Sequence, residues 1–375
     1  MNPLQELLHL GQSVWLDELS REMINNGQLT TLIKDADLHG VTSNPTIFEK
    51  AVSASDVYAA PMRRLLDSGR TAEQVVWDLL VEDVRDAADV LRPVYDDRAG
   101  SDGFVSIEVS PEIAGDTEAT VEAARDLRRR CDRPNVMVKI PATPAGIPAI
   151  RRMIAEGANI NVTLIFSVER YAEVVEAFLS GLEEYREAGG DLRSTASVAS
   201  FFVSRVDTKV DMALTAAADS ASEGAERDRY RSLLGKAGIA NSKLAYQHFL
   251  KSHSGPRWES LAKSRARVQR CLWASTSTKD PRYRDTMYVE ELIGPDTINT
   301  MPQPTLEAFI DHGRVARTID AGVDTARQQL RELAEAGIDL ARVTEELEHD
   351  GVAGFRKSYQ HLLETMTRSA ASARP

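Results

Sequence analysis

Short apolar runs alternate along this chain with longer stretches in which apolar residues recur every three or four positions. The short runs predict β-strands, because side chains in a strand alternate between two faces. They cover residues 13–17, 40–42, 104–109, 136–141, 160–166, 195–202, 270–274 and 297–300. The longer stretches carry helix signals. Thr71 and Gln74 are spaced as a capping box ahead of Val75, Val76, Leu79 and Leu80. Ser167 precedes a stripe of Tyr171, Val174, Val175, Phe178, Leu182 and Tyr185 that ends at Gly189-Gly190. After Asp116, the residues Val121, Ala124, Leu127 and Cys131 share one helix face, which predicts a core role for Cys131. Strands alternating with helices predict parallel α/β architecture, and eight of them predict a closed (β/α)8 TIM barrel.

The chain has 375 residues, where such a barrel needs about 250. Two segments hold the excess. Residues 207–261 read as a helical excursion, an extended helix pair before the seventh strand. Residues 320–367 read as two or three amphipathic helices after the eighth. No repeat and no Gly/Ser linker divides the chain, so residues 1–375 are expected to form one domain, with a disordered tail at 369–375.

Composition narrows the function. The formal net charge of -12 excludes the basic footprint of a nucleic-acid binder, so any anionic ligand must meet a local cluster of cations. No run approaches the roughly 18 apolar residues of a membrane span, and Gln5, Glu6 and His9 interrupt the leucines of the amino terminus, unlike a signal peptide. Two cysteines far apart, Cys131 and Cys271, suit a reducing cytoplasm and no disulfide framework. The seven histidines show no metal-ligand spacing, and no Gly-rich phosphate loop is present, so neither a metal nor an organic cofactor is expected. Arg125, Arg128, Arg129 and Arg130 fall on the polar face of one helix and read as solvated surface.

The chemical signal is positional. A barrel of this kind works at the carboxyl ends of its strands, and those ends carry Asp17, Asn44, Glu108, Lys139, Asn161 with Thr163, Ser200 and Ser275. Val136, Val138 and Ile140 form the outer face of their strand, so Lys139 points into the barrel. An ammonium buried there without a partner is costly, and the neutral amine is the nucleophile that Schiff-base chemistry uses. Glu108 and Ser106 face inward by the same alternation, and Asp17 ends the first strand. On this pattern alone, a buried ion-pair network and a proton-transfer site are both open.

Several segments together resemble the transaldolase family. They are GVTSNPT (40–46), VSIEVSP (105–111), VMVKIPAT (136–143), NVTLIFS (161–167), SFFVSRVD (200–207) and LWASTSTK (272–279), in family order; length and the WASTSTK run look most like the longer bacterial branch. The resemblance implies that Lys139 forms a Schiff base with a ketose and that Asp17 is the acid/base that opens the C3–C4 bond. It implies that Glu108, through a water held with Thr163, assists carbinolamine dehydration, and that Asn44 and Asn161 hold hydroxyls. Ser200, Arg205, Ser275 and Lys279 would bind substrate and its phosphate, and Phe202 would line the same pocket. Shorter members carry an arginine soon after the seventh-strand serine, where this chain reaches Lys279. The implied activity transfers a dihydroxyacetone unit between sugar phosphates in the non-oxidative pentose phosphate pathway, without a cofactor, in a cytoplasmic monomer or homodimer with no nucleic-acid or membrane partner. One alternative is a class I sugar-phosphate aldolase that releases free dihydroxyacetone; the related aldolases carry Gln and Tyr where this chain has Glu108 and Phe202. Another is a non-catalytic barrel, which would have no need of Asp17, Glu108 and Lys139 together.

Overall fold

The structure is a computed structural model that describes residues 2–221 and 224–372, with side chains to 368; of the tail expected at 369–375, residues 369–372 belong to the last helix and 373–375 lie outside what is described. Eight parallel strands hydrogen-bond in chain order and close into a barrel. They are β1 (Gln12–Leu16), β2 (Gly40–Val41), β3 (Phe104–Glu108), β4 (Val136–Pro141), β5 (Ile160–Ile165), β6 (Ser197–Phe202), β7 (Arg270–Ala274) and β8 (Thr297–Met301). The (β/α)8 expectation is met, with strand limits displaced by one or two residues. β6 starts at Ser197 and not at Thr195 because the Ala196 N–H donates to the Asn159 side chain at 2.9 Å.

The alternation read from the sequence separates two apolar layers. Val105, Ile107, Val136, Val138 and Ile140 pack outward against the helices. Trp15, Phe104, Met137, Val198, Leu272 and Ile298 fill the lower half of the barrel. Each such buried side chain contributes roughly 1.5–3 kcal/mol. The largest of them, Trp15, dictates its neighbour: a Cβ on Gly40 would lie 2.5 Å from the indole ring, so a glycine in the short β2 gives the indole its space.

Local signals account for the helices. Thr71 and Gln74 form the reciprocal capping box of Ala72–Asp97, and the Arg170 N–H donates to Ser167 Oγ at the start of Val168–Glu187. Between β6 and β7 the expected pair is four helices, Ser204–Ser220, Gly224–Ser232, Ala237–Ser252 and Gly255–Lys263. After β8 stand Gln303–His312 and then, in the segment expected to be helical at 320–367, Val323–Glu335 and the long Leu340–Ser372. The long helix crosses the C-terminal mouth of the barrel. Its Gly351 passes so close to Leu164 that a Cβ would sit 2.9 Å from a leucine methyl, and Ser358 hydrogen-bonds Thr46 at 2.9 Å. No helix among the described residues is long and apolar enough to cross a membrane. Both cysteines are free and buried, and burial pushes their thiols up to about 12.

The opposite, N-terminal end of the barrel is tied by one carboxylate. Asp102 accepts hydrogen bonds from Trp15 Nε1 at 2.8 Å, Arg270 Nη1 at 3.2 Å, the Gly103 N–H at 3.2 Å and Ser13 Oγ. His39 Nδ1 lies 3.4 Å away. Burial alone would raise this carboxyl, but Arg270, His39 and Ser13 outweigh it and hold it at about 2.

Candidate active site

Above the apolar floor the interior turns polar, and a cavity of about 270 Å³ opens at the strand C-termini. Nine of the eleven residues expected at the site line it: Asp17, Asn44, Lys139, Thr163, Ser200, Phe202, Arg205, Ser275 and Lys279. The other two, Glu108 and Asn161, stand in the layer behind.

Lys139 is 4% exposed. Its Nζ lies 3.4 Å from Glu108 Oε2 and donates to the Ser43 carbonyl at 3.3 Å. The amine therefore has partners, as the ion-pair alternative left open by the strand pattern allowed. Its partner is the residue beside it in register on β3. Burial raises the Glu108 carboxyl; Lys139 pulls it back, and the nearby charge of Asp17 adds to the rise. The result is a carboxyl that keeps its proton more readily than an ordinary glutamate. Glu108 Oε2 and Thr163 Oγ1 are both buried without a hydrogen-bond partner among the described residues, which leaves room for exchange in a layer where buried polar atoms are normally satisfied.

Asp17 is held from one side. Thr42 Oγ1 donates to Asp17 Oδ1 at 2.7 Å and lies 2.8 Å from Thr300 Oγ1. Asn44 spends its Oδ1 on capping the helix Pro45–Ala54 through the Ile47 N–H at 2.9 Å, so its amide N–H groups are what it can offer a ligand. Asn161 is fully buried: it accepts from Ser200 Oγ at 2.7 Å and donates to Ser106 Oγ at 3.0 Å, which locks the serine that reaches the cavity. Just after Thr163, β5 breaks register against β6, and Leu164 adopts a left-handed φ of 58°. Such bulges re-aim side chains beside active sites.

The mouth is cationic. Arg205 stacks over the Phe202 ring at 4.9 Å, a contact that fixes the guanidinium plane. Burial lowers the Arg205 pKa, opposed by Asp17 and Glu108. Lys279 is also pulled down, by burial and then by Arg205 and Lys50; its Nζ donates to Ser277 Oγ at 2.7 Å. Ser275 takes a left-handed φ of 56° at the end of β7 and pairs with Ser204 Oγ at 2.9 Å, a strained turn typical of functional sites. Sequence reasoning missed Thr42, Lys50, Thr300 and Phe355, all of which line the cavity. Thr42 and Thr300 sit at strand ends and could have been found by the rule that found Asp17. Lys50 and Phe355 come from helices, where no strand-end signal exists. A larger groove of about 620 Å³ shares Lys279 but holds none of the amine and carboxylate set.

A closed parallel barrel that brings a buried amine, two carboxylates and a cationic rim to its C-terminal mouth is the architecture of a barrel enzyme. The model of the Transaldolase/Fructose-6-phosphate aldolase family matches residues 14–366, and the chain belongs to that family. It is 49% identical over 372 residues to a protein named Transaldolase from Parafrankia sp. (strain EAN1pec), with 99% of each chain covered. It is 48% identical to the Transaldolase of Thermobifida fusca (strain YX), again with 99% of each covered. It is also 48% identical to Transaldolase 1 of Streptomyces coelicolor (strain ATCC BAA-471 / A3(2) / M145), covering 98% of this chain and 95% of that protein.

Proposed function

We propose that this enzyme is a transaldolase that carries a dihydroxyacetone unit from a ketose phosphate to an aldose phosphate as a Schiff base on Lys139. The observation that carries the reading is the buried Lys139 amine, 3.4 Å from Glu108 and open to the cavity that Asp17 lines. Lys139 Nζ attacks the C2 carbonyl of the donor to give a carbinolamine. Glu108, working through a water shared with Thr163, protonates the departing hydroxyl, and loss of water leaves an iminium. Asp17 takes the C4 hydroxyl proton; the C3–C4 bond breaks, its electron pair passes to the iminium, and an aldose leaves. The three-carbon enamine that remains attacks the carbonyl of the incoming aldose while Asp17 returns the proton. Hydrolysis frees the new ketose. Asn44, with Asn161 behind Ser200, positions the hydroxyls of the retained unit.

Arg205, Lys279 and Lys50, with Ser275 and Ser277, suit the substrate phosphate, a planar fork and two point cations. Donors are sedoheptulose 7-phosphate or fructose 6-phosphate, and acceptors glyceraldehyde 3-phosphate or erythrose 4-phosphate, as in the non-oxidative pentose phosphate pathway. No metal or organic cofactor enters these steps. Two unpaired buried cysteines suit a cytoplasmic setting. Transfer is favoured over release of free dihydroxyacetone because the Phe202 ring in the cavity wall has no proton to give the enamine.

Borohydride reduction in the presence of fructose 6-phosphate tests the reading. A covalent three-carbon adduct should form on Lys139, and Lys139→Ala should lose it. Asp17→Ala should still trap a ketose on Lys139 while losing most turnover. An adduct on another residue, or none, would remove Lys139 from the mechanism; unchanged turnover would remove Asp17.

A further inference from the structure

The long helix Leu340–Ser372 is fastened on both sides of the active-site mouth. On one side Glu348 pairs with Arg170 at 3.2 Å and Asp350 with Lys209 at 3.0 Å; the two cations belong to the helices that follow β5 and β6. On the other side Ser358 hydrogen-bonds Thr46 at 2.9 Å, and His361 Nδ1 lies 2.7 Å from Glu49 Oε1. Thr46 and Glu49 stand on the helix that follows β2. Exposed contacts of this kind are weak one by one, but two on each side fix the direction of the helix. Between them it passes over the cavity. Gly351 lets it approach Leu164 at the β5 bulge, and Phe355 follows one turn later on the same face. The Phe355 ring lines the cavity and is 5% exposed. It shares an apolar cluster with Leu164, Phe166 and Phe202, in which the last two rings are 5.0 Å apart.

A three-carbon enamine on Lys139 faces two electrophiles, the carbonyl of an aldose and a proton. A water in the cavity could carry to C3 the proton that Asp17 has taken from the C4 hydroxyl, which turns the enamine into the iminium of dihydroxyacetone. A second water then adds at C2, and free dihydroxyacetone leaves with the Lys139 amine restored. The cations at the mouth attract water, so the outcome depends on what else fills the cavity. We propose that Phe355 is a specificity-determining residue: its ring, held in place by the fastened helix, excludes the relay water and so favours transfer over release. The proposal rests on the Schiff-base reading of Lys139 and completes the argument from Phe202, because a wall without a proton donor protects the enamine only where water cannot supply the proton instead.

The ratio of two rates on the same sample tests it: dihydroxyacetone released from fructose 6-phosphate alone, and transfer from fructose 6-phosphate to erythrose 4-phosphate. Partial unfolding lowers both rates together and leaves their ratio unchanged. Phe355→Ala opens space beside polar groups, which water will fill. It should raise release over transfer about tenfold or more, short of the full range for a placed proton carrier. Phe355→Leu refills most of the space with an apolar group and should leave the ratio close to wild type. If Phe355→Ala does not fold, Phe355→Val opens less space and should raise the ratio about threefold. Lys139→Ala separates the proposal from the reading beneath it: both rates should vanish, and rates that survived would remove the Schiff base and the proposal together. An unchanged ratio in Phe355→Ala and Phe355→Val, with both rates dependent on Lys139, would overturn the proposal alone. So would an equal rise in Phe355→Leu, since apolar bulk would then not be what keeps the proton away.

Discussion

Asp102, at the N-terminal end of the barrel, accepts from Trp15, Ser13, Gly103 and Arg270 and is held at about 2. Glu108, at the C-terminal end, is also deeply buried, yet its one ion-pair partner among the described residues is Lys139 at 3.4 Å, and its carboxyl is pushed up. Burial is common to both, so burial does not decide their behaviour. The charges and donors gathered around them do, with Arg270 foremost at Asp102. A buried carboxylate with its acceptor sites filled holds its charge and ties strands together. One left short of donors exchanges its proton, which is what acid/base chemistry needs. The two sites are only a strand's length apart: β1 carries Trp15, bound to Asp102, and leads straight to Asp17 in the wall of the C-terminal cavity.

The comparison breaks most sharply at its two poles. Lys139→Ala should lower kcat/KM by about 10³-fold or more, the range for removing one member of a catalytic unit. Its thermal stability should change little, because Glu108 can take up a proton when its partner goes. Asp102→Ala should do the reverse. It leaves Arg270 buried without its counter-ion, a loss of about 3–5 kcal/mol that denaturant melts will register, while kcat/KM per folded molecule stays close to wild type. If Asp102→Ala impaired turnover as strongly as stability, the division between a structural and a chemical end would not hold.

How far this division could be read from the sequence follows from periodicity. Inward and outward residues alternate every second position on a strand, so the inward placement of Ser106, Glu108 and Lys139 was legible, as was the barrel that closes around them. Whether Asp17, Glu108 and Lys139 were merely paired or chemically available was not, because that depends on partners brought in from other strands. Asp102 lies just before β3 in a loop, where no period operates, and its donors come from residues 13, 15 and 270. The bulge at Leu164 is invisible for a similar reason: an apolar residue in a strand gives no sign of a left-handed φ. Phe355 reaches the site on a helix some fifty residues past the last strand, and only the docking of that helix places it there.

A third buried carboxyl stands between the poles and tests whether the gathered charges and donors are what governs. Asp207 has the Gly238 N–H on one oxygen at 2.7 Å. Burial raises it and Asp211 adds to the rise, against the Gly238 N–H, the Tyr288 hydroxyl and the Ala237 N–H, which lower it; the outcome is about 7. An ordinary aspartate releases its proton near pH 4, so between about pH 4 and 7 the folded chain holds a proton that the unfolded chain has lost. This contribution to stability is complete below about pH 4, declines as pH rises through 7, and is constant above. Asp207→Asn keeps the acceptor for Gly238 and removes the charge, so it should flatten the decline. Melting temperatures should then exceed wild type by a few degrees near pH 8 and converge with it near pH 5. Parallel curves would show that Asp207 does not titrate in this range.

The smallest effect concerns the cations. Arg270, at the N-terminal end, is held by Asp102, whereas Arg205, Lys279 and Lys50 line the mouth and are in no ion pair among the described residues. Unpaired like charges held together repel one another, which is why Arg205 and Lys50 both act to lower Lys279. On the proposed reading, a dianionic phosphate arriving at the mouth relieves that repulsion, so each cation should contribute to binding and little to the chemical step. Lys50 is exposed, and solvent screening limits its share to about 1 kcal/mol. Lys50→Met, which keeps the stem, should raise KM for fructose 6-phosphate about fivefold, with kcat falling far less. Added salt should raise the wild-type KM more steeply than that of the variant. An unphosphorylated acceptor such as glyceraldehyde should show no such difference. A KM that stayed put for the phosphorylated sugar would mean that Lys50 merely borders the mouth, and that Arg205 and Lys279 hold the phosphate alone.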